Sequence, residues 1–171
     1  MSTDPAAGTA AGPRRTACVL IASTRAAAGT YEDECAPLLA DWLYAAGFDV
    51  ALAEVVPDGP AVGQSLRRML ELAPAVLITS GGTGISPTDV TPEQTRPLLD
   101  RELPGVMEAL RADGRTKTPM AALTRGCAGT AGRTFVVNLP GSPGAVADGL
   151  AVLEPIIGHI CGQLEGEHGH G

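Results

Sequence analysis

The alternation of short β-forming runs with segments of helical period constrains this chain more than any other feature. Thr16 to Ser23 (TACVLIAS) is apolar, rich in β-formers and too short for a helix. Glu32 to Ala46 places Leu38, Leu39, Trp42, Leu43 and Ala46 at helical spacing, with Pro37 in the first turns and Gly47 as a natural stop. Asp49 to Val56 reads as a second strand, Val62 to Leu72 as a second helix and Ala75 to Thr79 as a third strand. Strand, helix, strand, helix, strand predicts an α/β fold, a parallel sheet with helices on its faces. Such sheets bind ligands beyond the carboxyl ends of their strands. The loops that follow Ser23, Val56, Thr79 and Leu139 are therefore the places to look for chemistry.

The rest of the chain extends the pattern. Arg25 to Thr30 reads as a small-residue loop. Thr91 to Leu99 begins as a helix, with Thr91 as its N-cap, Pro92 in the first position and Gln94 where a capping box needs it. A short helix is expected at Gly105 to Arg111, a strand at Thr134 to Leu139 and a closing helix at Ala145 to Gly158. Lys117 to Arg125 fits a helical turn or a strand equally well. A length of 171 residues suits one domain, 16–164, between a disordered leader (Met1 to Arg15) and a polar tail (Glu165 to Gly171). The tail's His168 and His170 read as solvated residues.

Charge and cysteine usage exclude several classes. A net charge of −7 disfavours nucleic acid and anionic membranes as partners. No apolar run is read as long enough to cross a bilayer, and the leader lacks the pattern of a signal peptide. The expected location is cytoplasmic. Cys18, Cys35, Cys127 and Cys161 are scattered, which fits reduced thiols rather than a zinc site.

Four segments carry candidate chemistry. Ser80-Gly81-Gly82-Thr83-Gly84 follows the third strand, where glycines let backbone N–H groups approach an anion. It is not a Walker A loop, having no Lys after the last glycine, nor a dinucleotide fingerprint, since Pro87 takes the third glycine position. Asp89-Val90-Thr91-Pro92-Glu93 sits just beyond it. Asp89 and Asp58, from separate strand-end loops, can hold one hard cation, although both also suit turns or helix starts. Pro140-Gly141-Ser142 precedes the last helix, where Ser142 can cap it or present its N-terminus to an anion. Thr124-Arg125-Gly126 offers a hydroxyl and a cation.

Taken in order, SGGTGISPTDVTPEQT (80–95), ELPGVMEALR (102–111), LTRGCAGTAGRT (123–134) and NLPGSPGAV (138–146) resemble the MoaB/Mog family of molybdenum-cofactor proteins. Ser23, Gly29 and Asp33 in the opening segment resemble it too. The resemblance implies a three-layer α/β/α sandwich with a mostly parallel central sheet, usually a homotrimer. It implies an adenylyltransferase that moves AMP from ATP to molybdopterin, followed by hand-over to a molybdate-insertion enzyme. Asp58 and Asp89 would be the catalytic pair and the Mg²⁺ ligands. Ser23, Gly81, Gly82, Thr83 and Gly84 would take the nucleotide; Thr124, Arg125, Pro140, Gly141 and Ser142 would take molybdopterin. This chain departs from many members by carrying Thr24 for Asp, Thr88 for Arg and Thr124 for Ser. The alternatives are a non-catalytic molybdopterin-binding trimeric carrier or scaffold, and a nucleotide pyrophosphatase of related fold.

Overall fold

The computed structural model describes residues 12–167. The chain forms β1 (Arg15–Ala22), α1 (Thr24–Ala27), α2 (Cys35–Ala45), β2 (Phe48–Val56), α3 (Pro60–Glu71), β3 (Val76–Ser80) and α4 (Thr91–Thr95). It continues through a 3₁₀ turn at Arg96–Leu98, β4 (Arg101–Glu102), α5 (Pro104–Arg115), a second 3₁₀ turn at Pro119–Leu123, β5 (Ala128–Ala131), β6 (Thr134–Leu139) and α6 (Pro143–Leu164). Six strands make one sheet in the order β2-β1-β3-β6-β5-β4. β2, β1, β3 and β6 run parallel, while β5 is antiparallel to β6 and β4 is antiparallel to β5.

The central strands are buried on both faces, so their side chains alternate between two cores. Ala17, Val19 and Ile21 of β1 face α2 and α6, together with Phe135, Val137, Leu150 and Leu153. Cys18, Leu20 and Ala22 face α3, against Val62, Leu66 and Met69. The expected three layers are present, and the sheet is mixed through its β5–β4 edge.

Several local readings change. Arg25 to Thr30 is not all loop: α1 forms because the Ser23 hydroxyl accepts from the Ala26 amide at 3.2 Å and so caps it. Thr91 is not the N-cap of α4. Its own amide donates to the Gly82 carbonyl at 3.1 Å, which draws Thr91 into the first turn, and Val90 becomes the cap. The Lys117 to Arg125 stretch resolves as a 3₁₀ turn, started by the Thr118 side chain. The last helix runs to Leu164, and it is long and apolar enough to cross a membrane by length and composition, contrary to the sequence reading. Val146, Leu150, Leu153, Ile157 and Cys161 nevertheless bury one face of it against the sheet. Of the expected leader, Met1 to Ala11 lie outside the described residues, whereas Arg15 opens β1 and pairs with Glu165 at 2.7 Å. His168 and His170 also lie outside them.

Candidate functional site

At the carboxyl ends of β1, β2, β3 and β6 lies an open cleft of about 650 Å³. Its floor is built by two glycine loops in close contact. Gly81 has φ 96° and Gly82 φ 67°, a region that favours glycine. A Cβ on Gly81 would collide with the Ala22 carbonyl oxygen, and one on Gly141 would lie 3.2 Å from Gly81 Cα. The loops are stitched together by Gly81 N–H donating to the Leu139 carbonyl at 3.0 Å and Ser80 Oγ donating to the Pro140 carbonyl at 2.9 Å.

Both acids stand against this floor. Asp58 Oδ2 accepts from the Thr24 hydroxyl at 2.9 Å and from the Thr24 amide at 3.2 Å. Its other oxygen faces Gly82, whose missing Cβ would be 3.1 Å from Oδ1. Asp89 Oδ2 accepts from the Ser86 amide at 3.0 Å, closing a tight turn, and a Cβ on Gly84 would sit 2.7 Å from the same oxygen. Glycine at 82 and 84 thus makes room for a carboxylate in each case.

Thr91 adds an unusual feature. It is 1% exposed, and its hydroxyl has no hydrogen-bond partner in the structure. A Cβ on Gly82 would clash with that hydroxyl, so it lies on the Asp58 side of the loop. Buried hydroxyls are nearly always partnered, and an orphan here is a candidate for use by a ligand.

Ser23, Asp58, Gly81, Gly82, Thr83 and Gly84 all line the cleft. Asp89, Thr124, Pro140, Gly141 and Ser142 line it as well. Ser23 and Ser142 are engaged as helix caps, the latter through the Ala145 amide at 3.3 Å. Thr124 Oγ1 is 3.2 Å from Thr83 Oγ1, joining the two halves of the site.

Arg125 is placed differently. Its guanidinium donates to the Gly84 carbonyl and to the Asp89 carbonyl, each at 2.8 Å, and pairs with Glu93. It is not among the cleft-lining residues. Its visible role is to brace the glycine loop against the segment that carries Asp89. Glu93 therefore touches Arg125, and that contact holds the Glu93 carboxyl below its ordinary range.

Sequence reasoning missed Asn138. Fully buried, it donates to Thr79 Oγ1 at 2.9 Å and Thr95 Oγ1 at 3.1 Å, and accepts from the Cys127 amide at 3.0 Å. It ties β3 and β6 to α4. A polar residue inside the apolar run TFVVNL was the available signal. Arg25 and Tyr31, also on the cleft wall, carried no such signal.

A second, mostly apolar hollow of about 390 Å³ adjoins the cleft. Met107, Leu110 and Ala121 line it, and it shares Met120, Thr124, Pro140 and Ser142 with the cleft.

Comparison with known proteins agrees with this geometry. A family model described as "Probable molybdopterin binding domain" matches residues 18–159. A "Molybdenum cofactor biosynthesis bifunctional protein" from Synechococcus elongatus is 39% identical over 155 residues, covering 90% of this chain and 49% of the relative. The chain thus spans about half the length of that relative. A "Molybdopterin adenylyltransferase" from Haemophilus influenzae is 34% identical over 142 residues, covering 81% of this chain and 72% of that one. The solved structure of the molybdopterin biosynthesis Mog protein from Mycobacterium ulcerans matches with a TM-score of 0.85 at 49% identity, covering 90% of this chain and 98% of that one. With the motifs, the fold and these relatives in agreement, this chain belongs to the MoaB/Mog family of molybdopterin-binding domains.

Proposed function

We propose that this chain transfers AMP from Mg-ATP to the phosphate of molybdopterin, giving adenylyl-molybdopterin and pyrophosphate. The observation that carries the reading is the meeting of Asp58 and Asp89, from separate strand-end loops, on one glycine-floored cleft. The relative named molybdopterin adenylyltransferase supports the choice of reaction.

The residues present fit Mg²⁺. The donors that line the cleft are oxygen, the carboxylates of Asp58 and Asp89, and the orphaned Thr91 hydroxyl lies buried behind Gly82 rather than in the cleft lining. Among the described residues no group of three or more His, Cys, Asp or Glu forms a closed metal cage. Mg²⁺ suits such a site, because it is usually held by one or two carboxylates together with substrate phosphates and water. When bound, it would supply charge neutralisation on the phosphates.

The remaining work is positioning. A molybdopterin phosphate oxygen forms the new bond to the α-phosphorus, and the bond from that phosphorus to the bridging oxygen of pyrophosphate breaks. Gly81 to Gly84 orient the nucleotide through backbone N–H groups. Thr124, Pro140 and Ser142 form the border between cleft and hollow, so the pterin ring would lie in the hollow with its phosphate directed at the nucleotide. Arg125 acts here by holding Gly84 and Asp89 in place. The same reading takes the domain to be 16–164, a cytoplasmic homotrimer that hands its product to a molybdate-insertion enzyme; light scattering after gel filtration checks the trimer.

The test is an anaerobic incubation with molybdopterin, ATP and Mg²⁺, following adenylyl-molybdopterin by chromatography. Mg²⁺-dependent product is expected. Tight molybdopterin binding without product would favour the carrier, and ATP loss without pterin the pyrophosphatase.

A further inference from the structure

The cleft poses an electrostatic problem. Its lining includes four carboxylates, Asp33, Glu34, Asp58 and Asp89, and a single cation, Arg25. A nucleotide triphosphate brings further negative charge, of which one divalent ion offsets only part. Arg125 does not serve, since its guanidinium is committed to two carbonyls and Glu93.

Arg25 is held as a free cation. Among the described residues it forms no ion pair, although acids stand nearby. Two of those acids are occupied: Asp33 accepts from the Cys35 and Ala36 amides at 3.0 and 2.9 Å, and Asp58 is held by Thr24. The Arg25 guanidinium lies instead over the Tyr31 ring, 5.1 Å from its centre. Tyr31 is 46% exposed and is the one aromatic side chain lining the cleft. The helix beneath is well fixed, through the Ser23 cap and the Thr24–Asp58 contacts. The result is a planar donor fork on an anchored base, held over a ring face that leaves its N–H groups open to an anion.

We propose that Arg25 is the phosphate-binding cation of this cleft, gripping the β- and γ-phosphates of the nucleotide and the pyrophosphate that leaves, with Tyr31 keeping it available. The neighbouring Thr24 holds Asp58, and Arg25 does not line the hollow assigned to the pterin, so Arg25 belongs to the nucleotide side. This inference rests on the reading of the cleft as a nucleotide site.

Calorimetry on the full chain with Mg²⁺ tests it, using ATP, pyrophosphate and AMP as separate probes. Arg25→Ala weakens ATP and pyrophosphate binding about 10- to 100-fold, the scale of a lost charged hydrogen bond. AMP binding changes by no more than about twofold, the scale of a neutral surface substitution. Arg25→Lys falls between, keeping the charge without the fork. Tyr31→Leu weakens ATP by about two- to fivefold, the scale of an exposed cation–π contact. The side chain is exposed, so unchanged melting temperatures are expected throughout. ATP binding unchanged in Arg25→Ala, or an equal loss for AMP, overturns the inference alone. Failure of the wild-type chain to bind any nucleotide overturns the nucleotide-site reading along with it.

Discussion

On one face of the sheet, α2, α5 and α6 close over Leu39, Leu43, Phe135, Leu150 and Leu153, and the contacts there are almost wholly apolar. At the carboxyl rim the arrangement is the reverse. The glycine loop and α4 are held by hydrogen bonds from Arg125 and Asn138, and Asp58 by Thr24. Apolar burial is non-directional, while directed bonds fix a few atoms in place. Stability is therefore concentrated in the first region and chemistry in the second, and substitutions should separate the two.

The largest separation is expected from Asp89→Asn. Turnover falls by at least about 100-fold, comparable with loss of a key electrostatic group, while the melting temperature holds. Steady-state kinetics beside thermal melts checks both. Leu153→Ala, deep in the packed face, should do the opposite: about 2–5 kcal/mol of stability lost by denaturant titration, with KM for ATP unchanged. Arg125→Met sharpens the comparison because it cuts bonds that position the site. About 1–3 kcal/mol of stability and about tenfold in turnover should be lost together. Thr91→Val removes an orphaned hydroxyl at nearly constant shape, so stability should hold or rise. If that hydroxyl serves the cation site, the Mg²⁺ concentration needed for half-maximal turnover rises by about tenfold, and Thr91→Ser restores it. An unchanged Mg²⁺ requirement would assign Thr91 to structure only.

The smallest effect concerns pH. Burial pushes the Cys127 thiol up to about 11. The native thiol keeps its proton where the unfolded one loses it. The associated stability is full below the ordinary thiol range and is lost as pH rises to about 11. Melts between pH 8 and 11 should show a drop that Cys127→Ala reduces.

The elements legible from the sequence were those with strong local pattern. TFVVNL forms β6 with the expected bounds, and the parallel strands before it fall within a residue or so of their apolar runs. β4 and β5 were missed for physical reasons. Arg101–Glu102 is two exposed charged residues, and Ala128–Ala131 (AGTA) has little β-former content; pairing of β5 with β6, and of β4 with β5, makes them strands. Part of the reason for glycine at 129 is tertiary, since a Cβ there would collide with the Arg101 carbonyl. In the site, the glycine loops and both acids were readable because residue type and position after a strand implied their location. Arg125 was not readable as a brace, because its partners are backbone carbonyls with no signature in the sequence. Thr91 had the right residue type for a cap, but its hydroxyl is buried and accepts from no amide of α4.

The central claim is that Asp58 and Asp89 make one site. Its most direct test is the rate of adenylyl-molybdopterin formation for the wild type, Asp58→Asn, Asp89→Asn and the double variant at saturating Mg²⁺. Residues that act as a unit are strongly non-additive. The account predicts that each single variant loses most of the activity and that the double loses little more. Losses that multiply in the double variant, or full activity in either single one, would contradict it.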